Sequence, residues 1–368
     1  MKVLIINSVC GIGSTGRICT DLAQNFKTNG DEVKIAYGRS GLVPENFKKY
    51  GVRIGTDLDV KLHALYTRIT DKHGFASKIA TKKFLKWATE YNPDLLWLHN
   101  LHGYYINVEM LFDWIKSRPN MKVNWTLHDC WAFTGHCTYF SFVGCDKWKY
   151  GCTKCEQKDK YPQSIFMDNC ENNYKRKKCA FTNVKNMTLI TPSKWLSNLV
   201  EQSFLKEYPI EVRYNTINSD VFKPTPSDFR EKNGLNTKKI VLGVANGWEE
   251  RKGYKDFLKL AKMLDEDYVI VLVGVSKKQL KQLPENIIGI QHTNSIQELA
   301  EIYTAADVFV NLTYEDNFPT VNLEAQACGT PCITYATGGS VESVPEENIV
   351  GQGDLRELIK TIKIILNA

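Results

Sequence analysis

The sequence predicts an α/β chain of two doubly wound domains, and three observations predict it. The 368 residues suffice for two domains of roughly 150 residues, each able to bury its own core. Short, non-alternating apolar runs alternate with amphipathic stretches along nearly the whole chain. That is the pattern of parallel strands covered by helices on both faces. The alternation pauses at residues 191–225, which hold Pro192, Pro209 and Pro224 with Pro226 just beyond, and then restarts. Two Rossmann-like domains are therefore expected, at 1–192 and 193–368, facing each other across a cleft.

In the first domain, 2–7, 33–37, 95–98, 123–127 and 188–191 read as buried strands and 14–29 as a helix. Residues 78–87, rich in lysine and aromatics, read as an amphipathic surface helix, and 175–178 is a second basic run. In the second domain, strands are expected at 240–244, 269–273, 287–291, 308–311 and 331–335. Helices are expected at 254–264, 277–282, 296–305, 320–328 and 354–366. The last of these either stays on the second domain or crosses back to the first.

Hydrophobic residues make up 43% and charged residues 24%, which excludes a wholly disordered chain. Charge is uneven: residues 1–190 carry 28 Lys and Arg against 17 Asp and Glu, and residues 191–368 carry 19 against 24. A basic first half suits an anionic partner, such as a membrane surface, a phosphorylated acceptor or nucleic acid; a solvated basic face is the plainer alternative. After Met1-Lys2 only Val3 to Ile6 precede Asn7, a strand too short for a signal-peptide core. No run reaches 18 apolar residues. A cytoplasmic protein is expected, associated with the inner membrane face through the two basic segments.

The motif richest in chemistry runs from Tyr314 to Pro331. Acidic residues Glu315 and Asp316 follow a strand, and the helix starting at Thr320, Val321 and Asn322 offers backbone N–H groups and a positive dipole end to a phosphate. Glu324, one turn inside, has the acceptors to hold a ribose diol. Gly329 ends the helix. Upstream, Glu249-Glu250-Arg251-Lys252-Gly253 supplies a fork and a point charge for a diphosphate. Gly338-Gly339 opens a further turn before a helix. In the first domain Gly11-Ile12-Gly13-Ser14-Thr15-Gly16-Arg17 follows a strand, its glycines letting N–H groups close on an oxyanion. The spacing misses the dinucleotide fingerprint.

These motifs, in this order, resemble the family 4 retaining glycosyltransferases of GT-B fold, over nearly the whole chain. That family carries two Glu residues separated by seven others; here Asp316 stands eight before Glu324, with Glu315 next to it. The resemblance implies that Glu324 binds the donor ribose and that Asp316 or Glu315 lies at the donor sugar. It implies that Arg251 and Lys252 hold the donor diphosphate, with Asn246 where many relatives have Arg. Gly338 and Gly339 wrap the distal phosphate, and Gly13, Ser14, Gly16 and Arg17 face the donor phosphates. His128, in Trp125-Thr126-Leu127-His128-Asp129, touches the donor sugar or the transferring centre. The His128 segment and His99-Asn100-Leu101-His102 most resemble members that assemble capsule and exopolysaccharide, which puts His99 and His102 at the acceptor side. The implied activity is transfer of a hexose-type sugar from a nucleotide-diphosphate donor, UDP by default, to a growing lipid-linked glycan. The resemblance also implies chemistry in which no metal takes part.

The 11 cysteines do not suit a disulfide framework in a reducing compartment. Cys137, Cys145, Cys152 and Cys155, in a Cys-rich insertion at about 130–180, have the C-x7-C-x6-C-x2-C spacing of a closed structural zinc site, with Cys130, Cys170 and Cys179 near enough to substitute. Free buried thiols are the main alternative, with an iron–sulfur site or disulfides behind them. The connecting loop reads as poor in apolar core, so that a metal would hold its shape. Competing functions are a nucleotide-sugar epimerase of the same fold and a basic, zinc-containing polyanion-binding protein. The latter leaves Lys252, Glu324 and Gly339 without a purpose, so nucleic acid is not expected as a partner. Asp57-Leu58-Asp59 has the form of a metal-binding acidic pair but reads as loop.

Overall fold

A computed structural model describes residues 1–39 and 43–367. The chain divides into two compact units, Met1–Tyr214 and Asn215–Ala368. The first contains β1 (Lys2–Asn7), α1 (Gly13–Thr28), β2 (Glu32–Tyr37), α2 (Glu45–Lys48), β3 (Gly51–Arg53), α3 (Asp57–Thr70) and α4 (Lys78–Tyr91). It continues with β4 (Leu95–Leu98), α5 (Val108–Lys116), β5 (Lys122–Thr126), α6 (Cys170–Phe181), β6 (Met187–Thr191), α7 (Lys194–Val200) and β7 (Ile210–Val212). The strands form one parallel sheet in the order β3-β2-β1-β4-β5-β6-β7. All four residues of β4 are buried, as a central strand covered on both faces requires.

The second unit contains α8 (Phe229–Lys232), β8 (Lys239–Val244), α9 (Tyr254–Met263), β9 (Tyr268–Val273), α10 (Lys277–Leu280), β10 (Ile287–Ile290) and α11 (Ile296–Ala305). Then follow β11 (Val308–Asn311), α12 (Thr320–Ala327), β12 (Cys332–Tyr335), β13 (Ile349–Val350) and α13 (Leu355–Asn367). Its parallel sheet has the order β10-β9-β8-β11-β12-β13. In each sheet the strand order reverses once, between β1 and β4 and between β8 and β11. Open parallel sheets bind ligands just beyond the carboxyl ends of the strands at such a point.

Three expectations change, and one left open, the place of the last helix, is decided. Residues 193–214 fold with the first unit, because β7 extends its sheet through Leu189↔Ile210 to Thr191↔Val212. The stretch around Asp57 is a helix, started by a capping box in which Thr56 and Asp59 satisfy each other's backbone N–H. Asp57 and Asp59 are thus occupied at a helix start, Asp57 also pairing with Arg53. The last helix, α13, buries Leu355, Leu358 and Ile362 in the core of the second unit. Finally, the Cys-rich insertion is not short of apolar packing: Phe133, Phe140, Trp148 and Cys137 join the main core of the first unit. Phe140 stacks on Trp148 with centroids 4.8 Å apart.

Candidate functional site

In the second unit three loops leave the carboxyl ends of neighbouring strands and are tied to one another. The loop after β8 carries Arg251 and Lys252. Gly253 closes it at φ +74, where a Cβ would lie 2.1 Å from the Leu312 carbonyl oxygen; only glycine permits that approach. The Tyr314 N–H donates to the Arg251 carbonyl at 2.7 Å, so this loop is pinned to the one after β11. That second loop carries Glu315 and Asp316. The third, after β12, brings Gly339, whose N–H donates to the Asp316 carbonyl at 3.3 Å. Gly338 sits at φ +50, and a Cβ there would meet the same carbonyl oxygen at 2.0 Å.

The result is a direct ion pair. Lys252 Nζ lies 2.5 Å from Asp316 Oδ2, both side chains partly exposed. Glu315 is buried, which separates the two acidic neighbours: Asp316 meets the lysine and Glu315 turns inward. Arg251 pairs with Glu249 at 3.2 Å. Asn246 is exposed in the turn after β8.

Glu324, in α12, is also buried, and Tyr303 OH donates to its Oε2 at 3.1 Å. Asn322 is fully buried: its Nδ2 donates to Ser343 Oγ at 2.8 Å and its Oδ1 accepts from Asn311 at 2.8 Å. The Asn322 side chain therefore fastens α12 to the turn after Gly339, a positioning contact. Its N–H is taken by the Pro319 carbonyl. Thr320 and Val321 begin the helix, with Thr320 half-buried.

In the first unit, Gly11 and Gly13 adopt φ +72 and +64. The Gly11 N–H returns to the Gly16 carbonyl at 3.1 Å, closing a tight turn in which α1 begins at Gly13 and holds Ser14, Gly16 and Arg17 in its first turns. Beyond β4 and β5 lies a histidine cluster. His99 Nδ1 and His128 Nε2 are 2.9 Å apart, with their rings stacked. Burial pushes His128 down to about 4 and His99 well below its ordinary value, so both are neutral near pH 7. His99 Nε2 is buried with no hydrogen-bond partner among the described residues. His102 Nε2 meets Asp129 Oδ2 at 2.8 Å, and its Nδ1 meets Tyr161 OH at 3.1 Å. Burial pushes the Asp129 carboxyl up, but His102 and the Trp131 N–H outweigh it and leave it below the usual range. The sequence reading missed Asp129 and Tyr161. Asp129 stands beside His128 and could have been noticed, whereas Tyr161 is 59 residues from His102 and has no local signal.

The cysteines gather without forming a ligand set. Cys137 and Cys155 share a hydrogen bond that holds Cys155 at about 7 and, with burial, raises Cys137. Cys152 accepts the Gly135 N–H at 3.1 Å. Among the described residues no group of three or more His, Cys, Asp and Glu side chains is placed to hold a metal ion. The insertion is tied to the first unit by its aromatic core and by Lys177. That buried ammonium donates to the Trp131 and Thr134 carbonyls at 2.8 and 3.0 Å.

Residues 227–368 match the family model described as Glycosyl transferases group 1. The matched residues all lie in the second unit. WcaC of Escherichia coli K12, whose name makes it a colanic acid biosynthesis glycosyl transferase, is 26% identical over 174 residues, covering 44% of this chain and 41% of that protein. A Campylobacter jejuni N,N'-diacetylbacillosaminyl-diphospho-undecaprenol alpha-1,3-N-acetylgalactosaminyltransferase is 32% identical over 116 residues, covering 30% of each. The chain thus spans less than half the length of the curated relatives it matches. Sucrose-phosphate synthase from Thermosynechococcus elongatus superposes with a TM-score of 0.70 at 18% identity, over 100% of this chain and 90% of that one. Anabaena Alr3699/HepE in complex with UDP gives 0.68 at 15%, over the same shares. At these identities the solved structures establish the fold: two parallel-sheet α/β domains of GT-B type. The group 1 match contains every second-unit residue singled out from the sequence, Asn246 to Gly339.

Proposed function

We propose that this chain transfers a hexose-type sugar from a nucleotide-diphosphate donor, a UDP-sugar first, to a glycan acceptor, with retention of anomeric configuration. The observation that carries the reading is the Lys252–Asp316 pair, closed over by Gly338 and Gly339. A lysine held 2.5 Å from a carboxylate is a preset cation, and a diphosphate of higher charge displaces its partner. As the glycosidic bond breaks, the diphosphate gains negative charge. Lys252 and Arg251 then stabilise the transition state more than the ground state. Asp316, released from the lysine, turns to the sugar hydroxyls. Glu324, fixed by Tyr303, accepts the ribose diol.

In front-side displacement the acceptor oxygen bonds the anomeric carbon on the face the diphosphate leaves. The acceptor proton passes to a diphosphate oxygen, and the two cations serve without a metal at the reacting centre. His128, neutral through burial, hydrogen-bonds a sugar hydroxyl, while His99 and the His102–Asp129 pair orient the acceptor. A HepE structure was solved with UDP-glucose, which supports trying that donor first.

Thermal unfolding with UDP-, GDP- and ADP-sugars, with and without EDTA, tests this. A bound donor at about a hundred times its Kd stabilises by about 2.7 kcal/mol. Lys252→Ala with Glu324→Gln should abolish the shift and the turnover. Unchanged donor affinity and turnover in that double variant sink the reading. Turnover of donor without any acceptor, with the sugar epimerised, replaces it with an epimerase.

A further inference from the structure

The second unit holds a buried carboxylate that the chemistry proposed above does not use. Asp256 stands in the first turn of α9, directly after the Arg251-Lys252-Gly253 loop, and is 3% exposed. Its Oδ2 accepts two hydroxyls, from Tyr314 at 2.6 Å and from Tyr335 at 3.1 Å. These tyrosines are 58 and 79 residues away along the chain. Their rings meet edge to face, with centroids 5.5 Å apart. The other oxygen, Oδ1, meets Nζ of the exposed Lys259 at 3.0 Å.

A buried charge is costly unless it is hydrogen-bonded. Burial pushes the Asp256 carboxyl up, but Tyr314, Lys259 and Tyr335 outweigh it and leave it below its usual range. Burial and that carboxylate push Tyr314 up to about 12, so it keeps its proton. One charged acceptor therefore faces two neutral donors, the stronger class of hydrogen bond.

Each tyrosine belongs to a different loop of the candidate site. Tyr314 immediately precedes Glu315 and Asp316, and Tyr335 ends β12, just before the Gly338-Gly339 turn. The backbone of Tyr314 reaches the remaining loops as well. Its N–H donates to the Arg251 carbonyl at 2.7 Å, and its carbonyl accepts the Thr337 hydroxyl at 2.8 Å. The loops that carry Lys252, Asp316 and Gly339 are thus fastened to Asp256 directly or through Tyr314. Asp256 and Tyr335 are both buried, so they act through the loops they hold. A buried charge is weak evidence for stability; what this one fixes is the geometry of three strand ends. A site held in shape before its ligand arrives needs less reorganisation as charge develops.

We propose that Asp256 is a positioning residue for the donor diphosphate, with Tyr314 and Tyr335 as the two arms through which it holds the Lys252, Asp316 and Gly338-Gly339 loops at one spacing. The inference rests on the donor site proposed above and adds how that site keeps its shape. Glu324 has a separate support: Tyr303, which holds it, packs in a different core cluster from Tyr335. Loss of the Asp256 contacts should therefore disturb the diphosphate end of the donor and spare the ribose end.

The test is isothermal titration of the full chain with UDP, GDP and ADP and with the matching monophosphates. For the diphosphate that binds tightest, Tyr314→Phe and Asp256→Asn should each lower affinity roughly tenfold or more, and Tyr335→Phe should lower it less. Affinity for the monophosphate should hold, because it reaches Glu324 without needing the distal-phosphate loops. Asp256→Asn combined with Tyr314→Phe should lose no more than the worse single variant, since both break one contact. Lys259→Ala, which removes the exposed partner, should stay within about twofold of wild type. Tyr314→Phe removes one oxygen and keeps the ring, so it serves where Asp256→Asn melts early. The ratio of diphosphate to monophosphate affinity is a readout that a merely destabilised fold does not move. Equal loss on both nucleotides, additive losses in the double variant, or wild-type affinity in both single variants overturns the proposal and leaves the donor site standing. A wild type that binds none of the diphosphates sinks the donor site, and this inference with it.

Discussion

Helices α3 and α4 follow one another in the first unit, both have 14 residues, and both are amphipathic. They are oriented oppositely. In α4 the apolar face is inside, with Phe84, Leu85 and Ala88 buried, and Lys78, Lys82, Lys83 and Lys86 are outside. In α3 the apolar face is outside and His63 and Thr67 are inside. Amphipathic spacing therefore says that a helix has two faces, not which one the protein keeps. For α4 the choice follows from burying apolar area. For α3 it follows from polar groups that cannot be moved to water without breaking a buried network: His63, Asp71 and the residues they hold.

Removing a side chain from the inside of each helix breaks the comparison most sharply. Phe84→Ala empties core volume and should cost about 3–5 kcal/mol, measured by urea unfolding. His63→Ala should act differently. It leaves Ser77 and the Gly74 N–H in want of a partner at about 1–3 kcal/mol.

Acid is the next lever. Burial pushes His63 and His128 each down to about 4 from an ordinary 6.5. A histidine whose folded value is depressed contributes stability that is full above its unfolded value and is lost as the pH falls toward the folded one. Unfolding free energy of the first unit should thus fall between pH 6.5 and 4, by up to about 1.4 kcal/mol per pH unit for each such histidine. His63→Leu should remove one share of that slope, read from chemical denaturation at a series of pH values. His136 acts in the opposite sense. Burial lowers it, but Asp71 outweighs burial and leaves it raised. Its contribution is full below 6.5 and is lost as the pH rises through its folded value.

The smallest effects belong to the outer faces. Leu65→Ala on α3 and Lys82→Ala on α4 should each change stability by less than about 0.5 kcal/mol. Loss of several kcal/mol in Leu65→Ala would mean that this outer apolar face of α3 is covered within the chain.

The strands at 95–98 and 308–311 were legible because runs of four and three consecutive apolar residues fit buried parallel strands. Strand β7 was not, since Ile210-Glu211-Val212 is three residues at a sheet edge following Pro209 and gives no period. Helix α3 carried a readable start in Thr56-x-x-Asp59, yet its leucines would have been assigned to the core by the ordinary rule. In the candidate site, the residues of the block from Tyr314 to Gly329 could be picked out one by one because they share a single loop and helix. What Lys252 does with Asp316 could not, because the two are 64 residues apart.

By itself the sequence determined the strand and helix alternation, the two-domain plan and the residue types offered to a phosphate, all of which depend on neighbours within a few positions. The tertiary structure alone decided that Asp316 and not Glu315 meets Lys252, that Asp129 and Tyr161 bracket His102, and that α3 presents its leucines to the outside. Each depends on which distant loops a parallel sheet brings to the same strand ends, and on the cost of leaving a buried polar group without its partner.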